Sequence, residues 1–336
     1  MSIFKYSSII IFLMSSIFEI VENINKCQFF SGSIRQNEPL SQRTTMKVGG
    51  NADLFICPSD SNSVVIATSI LKKNRIPFFV LGGGSNVVAP DNGFRGAIIS
   101  TENLNGISHE TTDKAEKITF GSGTPTKDAV EYTCSRGISG LECFAGLPGT
   151  CGGAAFMNAR CYNADFGNLI ESISYIDLDS VTENYEESLE KSVRTYSSNF
   201  ETDWSYKKSP FTDKNTVILS VKMKFSLADP SKAGNLEKEC RKYIDDRESK
   251  GHFKFPSAGS VFKNNRDFGQ PSGKLIDDAG LKGTEFGGAQ IAPWHGNFII
   301  NKGNARASDI EELVRLAKSR VREKTGFNLE CEIIFL

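Results

Sequence analysis

Histidine is scarce in this chain. Three residues in 336, His109, His252 and His295, are too few for a multi-histidine metal centre, so no metal is expected. The eight cysteines form no CxxC pair, and their spacing suits neither a zinc site nor a disulfide-dense small domain. They read as free, mostly buried small hydrophobes of a reducing compartment. No charge sign dominates: 39 basic against 40 acidic side chains leave −1, which offers nucleic acid no broad basic face, although a local anion pocket stays open. Neither a GxxxxGK[ST] loop nor a GxGxxG run leading into a helix is present, which excludes the P-loop and the Rossmann fingerprint. A good membrane span is also missing. Ile9 to Met14 is wholly apolar and runs on to Ile20 after Lys5, but it is short and broken by Ser15 and Ser16, and no small-x-small cleavage site follows. A helix lying against the body, or an alternative start, suits residues 1–30 better than a weak signal peptide. No fixed-period repeat occurs.

What is present is an ordinary globular composition, 39% hydrophobic and 24% charged, long enough for two or three domains. Residues 22–42 read as polar and turn-like, with organised structure from about Thr45. Asp53 to Cys57 reads as a strand and Asn62 to Lys73 as a helix burying Val65, Ala67, Ile70 and Leu71. Further strands are expected over Pro77–Leu81, Phe94–Ile99, Lys117–Phe120, Ser172–Asp177, Val217–Phe225 and Phe298–Ile300. Helices are expected over Thr126–Ser135 and Leu236–Arg247, with a helical turn at Gly273–Ala279. The long helix Ala307–Lys324 would be capped by Ser308, and Leu329–Leu336 would close the chain as a strand. Short strands mixed with helices indicate an α+β class, not a doubly wound sheet.

The 30 glycines are clustered. Leu81 runs into Gly82-Gly83-Gly84-Ser85-Asn86, where successive backbone N–H groups could hold a pyrophosphate; a plain turn between strands is the competing reading. A second cluster, Gly146-Leu147-Pro148-Gly149-Thr150-Cys151-Gly152-Gly153-Ala154-Ala155, precedes Phe156-Met157-Asn158 and would suit close packing against a flat ligand, or a crowded bend. Two cradles in adjacent units favour an extended cofactor, with phosphates in one and a ring system in the other.

These blocks resemble the UDP-N-acetylenolpyruvoylglucosamine reductase family. The likeness runs from about residue 38 to 334. It is carried by Thr45-Met46-Lys47-Val48-Gly49-Gly50-Asn51-Ala52, Leu81 to Val87, Gly140-Leu141-Glu142 through Ala159, and Ser257-Ala258-Gly259-Ser260-Val261-Phe262-Lys263-Asn264. Gly273 to Asp277, Gly280 to Gly283, Gly287-Gly288-Ala289, Asn297 to Asn301 and Leu329 to Glu332 continue it. The resemblance implies a two-subdomain FAD-binding fold of the vanillyl-alcohol oxidase type plus a C-terminal α+β substrate domain. The expected boundaries are 31–100 and 101–250 for the FAD subdomains, 251–325 for the substrate domain, and 326–336 returning to the FAD part. The short spacing between the Ser260 block and Gly280 matches the type that lacks an inserted substrate-covering loop.

The implied activity is NADPH-dependent reduction of an enolpyruvyl UDP-sugar to UDP-N-acetylmuramate through FAD, in a cytoplasmic, monomeric protein with no stable membrane partner. By resemblance Ser260 donates the proton and Glu332, in its protonated form, helps polarise the intermediate. Lys207 stands where the family pattern Tyr-Arg-x-Ser has arginine; lysine keeps the charge and loses the planar fork. Strand alternation would put Glu330 on the same face as Glu332, so the choice between them rests on the resemblance. Cofactor contacts are expected from Gly82, Gly83, Gly84, Ser85, Asn86, Gly149, Thr150, Gly153 and Asn158, and substrate contacts from Tyr206, Asn264, Lys274 and His295. Lys250, Lys254 and Lys263 are unassigned candidates for the diphosphate. Arg160 replaces a glycine usual in the family; it could face outward, compensate for Lys207, or alter the site. A related FAD oxidoreductase of other specificity and a non-catalytic FAD-binding homologue are the alternatives.

Overall fold

The computed structural model describes residues 17–336; the apolar stretch Ile9–Met14 lies outside the described residues. The helical stretch 17–26 lays Ile20 and Ile24, both fully buried, against Leu54, Ile56, Ala97 and Ile99 of the first sheet. That sheet runs Gly32–Pro39, Asn51–Pro58, Phe94–Ser100, Phe78–Leu81 in space; the last three strands are parallel. Gly32–Pro39 corrects the turn-like reading of residues 22–42. It is an antiparallel edge strand with only Ile34 carrying a large apolar side chain, so its order comes from the ladder with Asn51–Pro58 and not from its own pattern.

The helix Ser61–Lys73 buries far more than one face. Val64, Val65, Ile66, Ala67 and Leu71 are all fully enclosed. Val64 and Val65 pack on Leu104, Ile176 and Val217, so the helix is sandwiched between the first sheet and the second. The second sheet is antiparallel throughout, ordered Val193–Ser197, Ile170–Asp177, Thr216–Phe225, Glu116–Gly121, Ile107–Thr111. Its other face carries the helices Thr126–Cys134 and Ala233–Ser249 over a core built on Phe120, Phe144, Phe166 and Phe211.

A third unit packs Ser272–Asp278 and Ala307–Thr325 on the antiparallel sheet Ser257–Ser260, Phe298–Asn301, Ala289–Ile291, Glu285–Phe286. Ser308 does not cap the long helix. Arg306 occupies the cap position, Asp309 accepts from its N–H at 2.9 Å, and Asp91 accepts from the N–H groups of Ala307 (2.7 Å) and Ser308 (3.2 Å). A carboxylate from the first unit thus supplies the cap that the local sequence lacks. The terminal strand is shorter than Leu329–Leu336. Only Ile334–Phe335 pairs in a ladder, parallel to Val87–Val88, and Cys331 makes a single bridge to Phe262. The end of the chain therefore lies between the third unit and the segment that follows Gly82-Gly83-Gly84.

Candidate active site

Where the three units meet, a cleft of about 1350 Å³ opens. Ordinary small-molecule sites hold roughly 300–1,000 Å³, so this one has room for more than one ligand. One wall is backbone. The loop after Phe78–Leu81 lies against the loop that enters the short helix Cys151–Phe156. A Cβ on Gly83 would sit 2.6 Å from the Gly149 Cα, and one on Gly84, whose φ is +62°, would sit 2.1 Å from the Arg43 carbonyl oxygen. Side chains are excluded there by neighbouring main chain, leaving a bare surface beside the cleft. Thr150 caps the helix, its hydroxyl accepting from the Gly153 N–H at 3.4 Å. Gly82, Ser85 and Asn86 also line this wall.

The cleft is cationic in a chain whose net charge is −1. Seven basic residues line it (Lys47, Arg160, Lys207, Lys214, Arg247, Lys250, Lys254) against the two acids Asp246 and Glu332. A bare glycine wall facing an excess of positive charge fits a diphosphate-bearing flavin dinucleotide: the 82–86 and 146–153 loops would hold it, with cations to balance its phosphates.

Ser260, Glu332 and Lys207 line the same cleft from three separate segments. Ser260 ends the edge strand Ser257–Ser260, directly after Gly259 at φ +74°. Glu332 follows through backbone: its N–H donates to the Val261 carbonyl at 2.8 Å, and its own carbonyl accepts from the Asn86 side-chain amide at 2.8 Å. Lys207 lies at the tip of the turn Ser205–Lys208, closed by reciprocal 3.0 Å hydrogen bonds. Its φ of +56° is left-handed, a conformation costing a non-glycine residue about 1–2 kcal/mol. Lys207 Nζ meets Glu332 Oε1 at 2.5 Å, with both side chains at least 86% covered, 14% and 9% exposed. Strain of this kind held in place by an ion pair marks a position where a cation matters.

Glu330 departs from its neighbour. It is 71% exposed and pairs with Lys263 at 2.5 Å, because the irregular backbone at 331–332 breaks the alternation that would have put both glutamates on one face. Arg160 lines the cleft and pairs with Asp165 at 2.5 Å across the hairpin Arg160–Cys161, Ala164–Asp165.

The expected binding residues divide. Asn264 and His295 line the cleft. Asn264 is held by the Ser272 N–H at 2.9 Å, and its own N–H reaches the exposed Tyr206 hydroxyl at 3.4 Å, so Tyr206 stands outside the lining but touches a residue within it. Lys274 does not line the cleft; it is a surface residue of Ser272–Asp278 paired one turn on with Asp278, which raises its pKa. Asn158 is fully buried away from the cleft: its amide nitrogen donates to Ser205 O at 2.8 Å and its oxygen accepts from Gly167 N–H at 3.1 Å. It steadies the segment leading to Lys207. Burial lowers the pKa of His295 and, with Arg247, His295 and Lys250 nearby, depresses His252 to about 4. Both rings pack against Phe298, His295 edge-on at 4.7 Å and His252 tilted at 4.9 Å between ring centroids.

Sequence reasoning missed Arg247 and Thr45. Arg247 lies in the last turn of a highly charged helix, yet it is 8% exposed and donates to the carbonyls of Ala145 (2.9 Å) and Cys143 (3.4 Å), with no ion-pair partner among the described residues. Thr45 ties the glycine loop to the Ser260 strand: its N–H donates to Gly84 O at 3.1 Å and its hydroxyl to Ser257 O at 2.7 Å. Neither could be seen without the tertiary contacts.

A family model of the C-terminal domain of UDP-N-acetylenolpyruvoylglucosamine reductase matches residues 251–336, and a model of an FAD binding domain matches 52–181. A UDP-N-acetylenolpyruvoylglucosamine reductase of Treponema denticola is 44% identical over 96% of this chain and 98% of its own length. That of Treponema pallidum is 38% identical over 90% of this chain and 93% of its own. Among solved structures, the UDP-N-acetylenolpyruvylglucosamine reductase of Thermus caldophilus aligns with a TM-score of 0.67 at 29% identity, covering 91% of this chain and 99% of that one.

Proposed function

The chain belongs to the UDP-N-acetylenolpyruvoylglucosamine reductase family of FAD-dependent oxidoreductases, and from that premise we propose how its own residues carry out the reduction of the enolpyruvyl sugar nucleotide to the muramate. The carrying observation is that Ser260 and the Lys207–Glu332 ion pair line the same cleft as the two glycine loops. FAD, when bound, supplies the reducing equivalents for the vinyl ether.

Reduction puts negative charge onto a carbon chain that already ends in a carboxylate, so the site must offer positive charge and a proton there. Lys207 supplies the charge. Its ammonium, held by Glu332, is placed to be shared with the substrate carboxylate. Ser260 gives its hydroxyl proton to the α-carbon. A free serine is a poor acid, so its placement at the end of a fixed strand beside that pair is what makes the transfer feasible. Asn264 and His295, with Lys250 and Lys254 at the mouth, are assigned to the sugar nucleotide, and NADPH is assigned as the electron source. A monomer in the cytoplasm, where NADPH and UDP-sugars are found, is the setting that suits this chemistry; among the described residues no helix is long and apolar enough to cross a membrane.

The test is a two-step anaerobic titration. NADPH should bleach the visible flavin absorbance, and the enolpyruvyl UDP-sugar should restore it. Bleaching without recovery would overturn the substrate assignment, and no bleaching would overturn NADPH as the electron source.

A further inference from the structure

Asn86 belongs to the glycine loop, yet its side chain is not spent on the cleft. The amide nitrogen donates to the Glu332 carbonyl at 2.8 Å and also approaches Met157 Sδ at 3.7 Å. Only the NH₂ of the amide can donate to a carbonyl, so the orientation follows from the contact itself. The Asn86 carbonyl in turn accepts from the Ile334 N–H at 2.9 Å. Asn86 therefore grips the terminal segment on both sides of Ile333.

That grip includes the one side-chain hydrogen bond to the backbone on either side of Ile333 among the described residues. The ladder covers only Ile334–Phe335. Glu332 sits just before it: its N–H donates to the carbonyl of Val261, the residue after Ser260, at 2.8 Å, and the Ile333 N–H reaches the same carbonyl at 3.5 Å. The peptide units flanking the Glu332 Cα are thus held from two sides, by the Val261 carbonyl and by the glycine loop. The direction of the carboxylate follows from those two anchors.

We propose that Asn86 is a positioning residue: it aims the Glu332 carboxylate at Lys207, and so couples the glycine loop to the cation that the substrate carboxylate would meet. The inference rests on the proposed role of Glu332. Displacement of a reacting group by about 1 Å can cost about 100-fold in rate, and loss of this anchor is expected to act in that range.

The experiment compares Asn86→Asp, Asn86→Ala and Glu332→Gln in the full-length flavoprotein by rapid mixing. Asn86→Asp keeps the shape and loses the donor; Asn86→Ala adds no charge and serves if the aspartate variant does not fold. The 82–86 loop is assigned to the dinucleotide through its backbone N–H groups, which both Asn86 variants keep, so the expected result is retained flavin colour, normal reduction by NADPH and an unchanged substrate KM. Substrate-driven reoxidation should be slower by about 10- to 100-fold, with a pH profile moved toward that of Glu332→Gln. Colourless variants would make Asn86 a flavin ligand and overturn the inference. So would a reoxidation rate and pH profile matching the unmodified protein while Glu332→Gln is impaired. If Glu332→Gln itself reoxidises normally, the assignment of Glu332 fails first and the inference fails with it.

Discussion

Two parts of the cleft are made in opposite ways. The flavin-side wall is main chain against main chain, from two segments that each announce themselves by local composition: Gly82-Gly83-Gly84 and Gly149 to Gly153. The part proposed for proton transfer is three side chains from three distant segments, none unusual in its neighbourhood, held by an ion pair and a few backbone bonds. Recognition by backbone tolerates almost no change in side-chain bulk. Recognition by side chains tolerates change in bulk and is sensitive to charge and aim. Lys207 illustrates the second: it stands where the family pattern has arginine, and it preserves the charge in a strained turn.

The sharpest way to break the contrast is Gly84→Ala. The new Cβ would meet the Arg43 carbonyl at 2.1 Å at a φ of +62°. Overpacking of about 1–3 kcal/mol adds to about 1–2 kcal/mol for the left-handed conformation. The expected protein has a lower Tm and is purified without flavin colour. A yellow variant of normal Tm would show that the wall yields. Ser260→Ala should do the reverse: flavin retained, Tm nearly unchanged, and substrate-driven reoxidation slowed by about 10²–10⁴-fold in stopped-flow measurements. A normal rate would remove Ser260 as proton donor.

This division also explains what the sequence could tell. The strands Asn51–Pro58 and Thr216–Phe225 and the helix Ser61–Lys73 follow from apolar patterning, and the glycine loops were visible as candidate cradles. Gly32–Pro39 was missed because its order is borrowed from a neighbour, and the cap on Ala307–Thr325 was misplaced because it comes from Asp91 in another unit. Glu330 and Glu332 could not be separated by alternation, since the backbone there is not a regular strand. Asn158 looked like a ligand because it follows the glycine cluster, but its amide is consumed at Ser205 and Gly167. Compositional bias is local and survives in one dimension; a hydrogen bond between residues 86 and 332 does not.

Lys207 offers a smaller and more graded effect. Lys207→Met removes the cation from the pair with Glu332, and reoxidation by substrate should fall by about 10²–10³-fold, the range for loss of one electrostatic stabiliser. Lys207→Gly relieves the left-handed strain while also losing the charge. If the two variants are equally slow, charge is what the turn holds in place; if the glycine variant is as fast as the unmodified protein, the ion pair is only structural. Lys207→Arg, which restores a planar fork, should speed the same step. A slower arginine variant would mean the cleft has been fitted to lysine.

The smallest effect expected is on stability, from a residue at the cleft that carries no assigned chemistry. His252 is pushed down from the ordinary 6.5 to about 4 by burial first and then by the nearby Arg247, His295 and Lys250. Between those values the unfolded chain binds the proton and the folded one refuses it, so stability rises with pH across the window. The contribution is complete above about 6.5 and is lost as pH falls toward 4. Carboxylates titrate in the lower part of this range, so the informative quantity is a difference: Tm against pH for the unmodified protein and for His252→Phe, which keeps the packing on Phe298. The variant should lose less Tm between pH 7 and pH 4.5 (about 2.5 pH units, spanning most of the shift). Parallel curves would mean that water reaches the ring, and that this part of the cleft is open where the burial of His252 and His295 implies it is closed.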